Sequence, residues 1–411
     1  MKLTIKNFRS IKDQEIELAP ITVVYGHNGS GKSSLLYAPM VFKNIIVNPS
    51  QPLEDFFHLG FTDMGSFESV VHNHNVKEKI EFGITRSWRN GASIQHSIQM
   101  GNDTFSFIYN VIPAEGLKGL IVEGSSARIN TKYPYSGSAL TNIILKSLNS
   151  THVVKWNGIL AQIAGHLTNL KLNSNEHSQS ADKKTVAELN AIVEDLRKFE
   201  MVPLKRGFTK PFFVMQSAKQ LSGEDKTAAL LTSNKYLLSK VSHYLEKMTG
   251  RDIRSNIIPG TGFYSLDTTD KKTGITSELV NDGFGVNQLV YALTSMLDED
   301  NKTICIEEPE IHLHPSAIRS FCQTLAVIQK EEGKHFIIST HSEVLISALL
   351  ALVAGGKLEA ENLACYHAVK TKKATNFERQ SINEKGQIEG GLATFIEAEL
   401  EDLKTFLKVS D

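Results

Sequence analysis

The chain has 411 residues, 44 basic and 45 acidic side chains for a formal charge of −1, and only three cysteines. That length exceeds one ordinary folding unit, and the composition has no excess of Gly, Pro or Cys that would mark a fibrous, disordered or disulfide-stapled chain. Cys305, Cys322 and Cys365 are odd in number, far apart and match no zinc spacing, so a reducing cytoplasm is the expected setting.

Residues 1–14 alternate polar and apolar side chains and lack the continuous apolar core of an export signal. The most apolar stretch, 344–356, is well short of the roughly 20 residues needed to cross a bilayer, so it reads as a buried helix and no membrane partner is expected. Balanced charge argues against a surface that coats nucleic acid throughout and leaves room for a local basic patch.

In chain order, residues 1–8 and 14–19 alternate as half-buried strands do, and 21–26 is a short apolar run ending in glycine, as in a buried strand. A helix is predicted from Gly31 to about Phe42, with Pro39 able to kink it or end it early. From about Glu68 to Val111 the pattern turns to β, with three runs separated by Arg89-Asn90-Gly91 and Gly101-Asn102-Asp103, both hairpin signals. The middle, about 125–250, is expected to be mostly helical. Val186, Leu189, Ile192, Val193, Leu196 and Phe199 share one helical face, as do Leu230, Leu237, Val241, Tyr244, Leu245 and Met248, with Gly250 as a stop. Polar residues 172–184 read as an exposed loop. From about 253, strands at 303–306 and 335–339 alternate with helices at 315–330 and 343–353, which argues for a mainly parallel sheet. A strand pair near 363–369 and 377–383 and an amphipathic helix near 393–408 close the chain.

The strongest motif is Gly26-His27-Asn28-Gly29-Ser30-Gly31-Lys32-Ser33, followed by Ser34, a full match to G-x-x-x-x-G-K-[ST] between an apolar strand and a helix. Its glycines let the backbone wrap phosphates, the helix adds its positive end, Lys32 reaches the β- and γ-phosphates, and Ser33 offers a hydroxyl to Mg²⁺. The second is the apolar strand 303–306 ending in Glu307 and Glu308. There the first carboxylate is aimed at the metal, directly or through a metal-bound water, and the second orients the attacking water. His312 and His314 share a face, but no third ligand accompanies them, so no metal site is expected there. His341 stands just past another buried strand, where a histidine can contact the γ-phosphate and the attacking water.

These features together resemble the ABC-type ATPases of the non-transporter branch, which includes RecF-like, SMC-like and OLD-family ATPases. Lys6-Asn7-Phe8-Arg9-Ser10, the P-loop, the run Glu307 through Pro315 (EEPEIHLHP) and Thr340-His341-Ser342 carry the resemblance, with weaker likeness at 61–72, 202–207 and 386–406. The resemblance implies an α/β fold: a split ABC-type P-loop NTPase head with a β-rich lobe and a helical insertion. The expected division is an N-terminal lobe (1–115), a mainly helical insertion (116–250) and a C-terminal lobe (251–411).

It also implies ATP and Mg²⁺ as cofactors, and a homodimer with ATP at its interface. The signature segment facing a partner's ATP would be 283–288, with Gly283, Gly285 and Gln288 as its contacts, a G-x-G-x-x-Q variant that departs from the LSGGQ of transporters. Arg9 would add a contact near the nucleotide. No segment matches the family's glutamine-bearing loop.

Long coiled-coil arms are absent, and no D-x-D cluster follows His341, so no intrinsic nuclease is expected. The implied role is a motor or switch in DNA maintenance or anti-phage defence, with DNA and a separate effector, a nuclease or toxin, as candidate partners. The alternatives are a nucleotide-dependent scaffold or sensor with negligible turnover and, less favoured, a transporter ATPase subunit. Within the chain, 198–210 is basic and is the first place to look for DNA contact, whereas 297–310 is acidic.

Overall fold

A computed structural model describes residues 1–113, 126–147, 150–163, 178–180, 183–389 and 391. The predicted terminal helix at 393–408 and most of the loop at 172–184 lie outside these residues.

The three N-terminal strands form where expected. β1 (Lys2–Phe8) and β2 (Ile11–Glu17) pair antiparallel, but neither alternates strictly in burial: Leu3, Thr4, Ile5 and Phe8 are buried in β1 and only Ile11 and Ile16 in β2, whereas β3 (Ile21–Tyr25) is buried along its whole length. α1 (Lys32–Val47) begins inside the glycine-rich turn and continues through Pro39, so the proline does not end it. The β pattern expected from about Glu68 begins only at Ile80, because Phe67–Val70 forms the short α2; from there β4 (Ile80–Ser87), β5 (Ser93–Met100) and β6 (Thr104–Ile112) form the expected antiparallel ladder. β7 (Ser126–Lys132) extends it to a six-stranded sheet of order β2-β1-β4-β5-β6-β7.

The helical expectation fails for 126–163. β7 is followed by β8 (Thr141–Ser147), β9 (Ser150–Trp156) and β10 (Ala161–Ile163), and with β11 (Ser178–Ser180) these build a second small sheet. Ala127 and Ile129, then Ile143 and Leu145, are buried two residues apart, which is strand periodicity. The helical faces read further along the chain do not extend back into this stretch. They begin at α3 (Lys183–Arg197), where Leu189, Ile192, Val193 and Leu196 are buried as expected. α3 is fastened to the first sheet by Arg86 to Asp195 (2.8 Å), by Trp88 Nε1 donating to Glu188 (2.9 Å), and by Tyr109 Oη donating to Leu189 O (3.0 Å).

Next come β12 (Phe199–Val202), β13 (Phe213–Val214), α4 (Gly223–Ser233) and α5 (Lys235–Thr249). Asn234 caps the start of α5 by accepting from Leu237 N, and Gly250, at φ 74°, ends it. β14 (Arg251–Ile258), β15 (Phe263–Asp270) and β16 (Thr276–Glu278) join β13 in a four-stranded sheet. The rest alternates as predicted: α6 (Phe284–Leu297), β17 (Thr303–Glu307), α7 (Pro315–Glu332), β18 (His335–Thr340), α8 (Glu343–Ala354), β19 (Leu363–Lys370) and β20 (Thr375–Gln380). These strands form a six-stranded sheet of order β12-β17-β18-β3-β19-β20, parallel from β17 through β19.

The chain divides into two compact units. One gathers described residues of Met1–Leu18, Tyr37–Phe199 and Lys372–Thr375; the other gathers Ala19–Leu36, Glu200–Thr371 and those from Asn376 on. The division falls within α1, so the P-loop belongs to the second unit, with β17 and β18. That unit has a continuous core in which Val23, Ile304, Ile306 and Ile338 of the sheet pack among Leu293, Phe321 and Leu349 of the helices. Each such side chain contributes roughly 1.5–3 kcal/mol by leaving water. The three cysteines are wholly buried and form no disulfide.

Candidate functional site

Parallel pairing in register sets Glu307 of β17 beside Ser339 of β18, and Thr340 beside Tyr25 of β3. The carboxyl ends of three neighbouring strands, each continuing into a motif loop, therefore lie side by side, the place where open α/β sheets bind ligands.

At β3 the turn depends on glycine. Gly26 has φ 145°, and a Cβ there would sit 2.6 Å from Ala368 O; Gly29 and Gly31 also have positive φ. Lys32 is almost fully buried, and its ammonium donates to Gly26 O and His27 O, both at 3.0 Å. Burial pushes its pKa down, while Glu308 and Glu310 pull it up. Ser30 and Ser34 are buried, the Ser30 hydroxyl without a hydrogen-bond partner. Ser33 is half-buried at the start of α1, and His27, Asn28 and Gly29 are exposed.

At β17, Glu307 is buried and its Oε2 accepts from Leu204 N (3.3 Å). Glu308 takes a left-handed backbone, φ 40°, and its Oε1 lies 3.0 Å from Nε2 of His341. The other ring nitrogen of His341 is 3.5 Å from the Lys32 ammonium. One imidazole thus spans the P-loop lysine and the second carboxylate. Glu310 fixes that histidine from behind: its Oε1 accepts from His341 N (2.9 Å) and from Thr340 Oγ1 (2.7 Å).

The segment 283–288 opens α6, with Gly283 as its N-cap, in the same unit. Gly285 lies so close to the loop after β17 that a Cβ would fall 2.7 Å from His312 O. Phe284 is 75% exposed and stands 5.5 Å, ring to ring, from His312. Gln288 is half-buried, its Oε1 enclosed without a partner. His314 is a helix cap, its Nδ1 accepting from Ser316 N at the start of α7.

Arg9 belongs to the other unit, where it has φ 52° and its guanidinium lies 5.6 Å from the Tyr37 ring centroid. Arg206, in the segment 202–207 that carries part of the resemblance, is a site residue that the motifs do not reveal. Its guanidinium donates to the carbonyls of Glu307 (2.7 Å), Glu308 (2.9 Å) and Pro203 (3.0 Å). Burial pushes its pKa down to about 10 against the upward pull of Glu310, Glu307 and Glu308. With Lys210 paired to Asp225 at 2.7 Å, two cations of the basic stretch 198–210 have intramolecular partners.

A profile of the AAA ATPase domain family matches residues 1–87 and 130–346. The chain belongs to that family. Among curated proteins, this ATPase is 23% identical over 351 residues to the OLD nuclease of Thermus scotoductus, with 84% of the chain aligned to 59% of that protein. It is 22% identical over 377 residues to the Old nuclease of Escherichia phage P2, with 84% aligned to 57%. The chain therefore spans under two thirds of the length of the curated relatives it matches. Among solved structures, an SMC head domain from Thermotoga maritima aligns over 93% of this chain and 98% of its own, at TM-score 0.43 and 10% identity. The chain is an ATPase of that family, with an α/β fold and a P-loop after β3. Among the described residues, no helix is long and apolar enough to cross a membrane.

Proposed function

We propose that this ATPase binds ATP with Mg²⁺ at the carboxyl ends of β3, β17 and β18, and that two copies close head to head around the nucleotides. The observation that carries this reading is the His341 ring set between Lys32 and Glu308. Positive-φ glycines, a buried serine hydroxyl without a partner and a lysine held across the turn by two carbonyls suit a polyphosphate. Ser33 and Glu307 would hold Mg²⁺, which neutralises phosphate charge when bound. Glu308 would orient the attacking water, and His341 would support it from the γ-phosphate side. Residues 26–34 would wrap the nucleotide, and Gly283, Gly285 and Gln288 would cap a partner's γ-phosphate, the exposed Phe284 marking that face. Bound ATP then favours the closed pair and hydrolysis releases it.

The proposed role is that of a motor or switch in DNA maintenance or anti-phage defence, acting through a separate nuclease or toxin and with DNA as a candidate ligand. Relatives bearing the OLD nuclease name support it. The nuclease activity named in those relatives is not assigned to this chain.

Glu308→Gln tests the reading. With saturating ATP and Mg²⁺ the variant should hydrolyse far more slowly and populate a dimer, measured by phosphate release and light scattering. A variant that turns over like the parent, or stays monomeric, overturns it.

A further inference from the structure

Residues 203–208 touch both ends of the proposed machinery within one unit. At one end, Arg206 grips the carbonyls of Glu307 and Glu308, and Leu204 N meets the Glu307 carboxylate. The grip falls on the peptide that sets the left-handed backbone of Glu308, a conformation glutamate adopts only when its surroundings enforce it. At the other end, Phe208 and the side chain of Asn287 close a two-bond ring: Phe208 N donates to Oδ1 (2.7 Å) and Nδ2 donates to Phe208 O (2.9 Å). Asn287 is buried in the first turn of α6, directly before Gln288. Between the two ends, Gly207 at φ 112° passes so close that a Cβ would stand 2.4 Å from Asn287 Oδ1.

We propose that residues 203–208 are a strap that ties the position of Glu308 to that of the α6 N-terminus, with Arg206 as its positioning residue. The strap rests on the function proposed above. Contact of a second nucleotide with 283–288 shifts α6, and the Asn287–Phe208 ring carries the shift to Arg206 and so to the backbone of Glu308. Hydrolysis is then coupled to closure inside one subunit. A planar guanidinium reaches three carbonyls from two nitrogens, whereas a lysine has a single nitrogen to place.

The test compares Arg206→Lys, Asn287→Asp and the double variant with the parent and Glu308→Gln. Three quantities are read: affinity for a fluorescent ATP analogue, ATP-driven dimerisation by light scattering, and kcat. Each single variant should bind the analogue within about twofold of the parent and dimerise with ATP, yet lose roughly tenfold or more in kcat. The double variant should be no slower than the worse single, because both changes cut one connection. Normal kcat in Arg206→Lys, or losses that multiply in the double variant, would overturn the strap while leaving a slow Glu308→Gln unexplained by it. A normal Glu308→Gln beside a slow Arg206→Lys would overturn the role of Glu308 and the strap with it. If Asn287→Asp does not fold, Asn287→Ser breaks the same ring without adding charge.

Discussion

Acid should weaken the first unit through one buried histidine. His96 is wholly buried beside Phe42, Tyr109 and Trp156. Its Nε2 lies 2.8 Å from Gly158 O, which can only accept, so Nε2 carries the proton and the ring is neutral; Nδ1 has no partner. A second proton would have to sit on Nδ1 with nothing to receive its hydrogen bond. Burial accordingly pushes the pKa from 6.5 down to about 4. Because the folded value lies below the unfolded one, the unfolded chain binds more protons between them. The stability this neutral ring contributes is complete above pH 6.5 and is lost as pH falls towards about 4. At about 1.4 kcal/mol per pH unit, the loss approaches roughly 3 kcal/mol.

The chain's two tryptophans, Trp88 and Trp156, both lie in that unit, so their fluorescence during denaturant unfolding reports on it. His96→Phe leaves Gly158 O without its donor and should cost about 1–3 kcal/mol at every pH. It should also flatten the slope between about pH 6.5 and pH 5 relative to the parent, while carboxylates shared by both proteins cancel. Parallel stability curves for parent and variant in that range would refute the reasoning.

Lys32→Ala should abolish ATP binding, because the P-loop loses the side-chain cation facing the β- and γ-phosphates; unchanged affinity in a fluorescent-analogue titration would refute the placement. Glu310→Ala should leave the Thr340 hydroxyl and the His341 amide without their acceptor, lowering stability by about 1–3 kcal/mol and slowing turnover together. Calorimetry and phosphate release would check it, and a variant matching the parent in both would remove Glu310 from the account.

Local chemistry made much of this protein legible in its sequence. A phosphate turn needs glycines at fixed spacing, so Gly26, Gly29 and Gly31 declare a backbone whose φ values are indeed positive. Helix ends are equally local: Gly250 stops α5 as its position after Met248 suggested. Arg206 is hidden in the sequence because its partners are main-chain carbonyls, two of the three about a hundred residues away, and a carbonyl leaves no trace in residue identity. Glu310 reads as one acid among several until the fold lays it behind His341. The strands between 126 and 163 are short, and their alternation covers too few residues to stand out from helical periodicity; the helical faces beyond them are also shorter than they read, with Phe199 in β12 and Leu230 in α4 rather than in α5. Pro39 warned of a helix end, yet α1 continues to Val47 with the proline buried.

The buried cysteines have a practical consequence. Cys305 and Cys365 lie in strands of the parallel sheet and Cys322 in α7, all enclosed, and burial pushes the thiols of Cys322 and Cys365 well up, the latter to about 12. Thiolate, the species that reacts with maleimides, scarcely forms at such sites. A cysteine introduced at an exposed position such as Phe284 would be the one that labels in the native chain, with no need to remove the others. Two copies so labelled become a spectroscopic ruler, and the spacing between their dyes or spins reports whether ATP brings the two faces together.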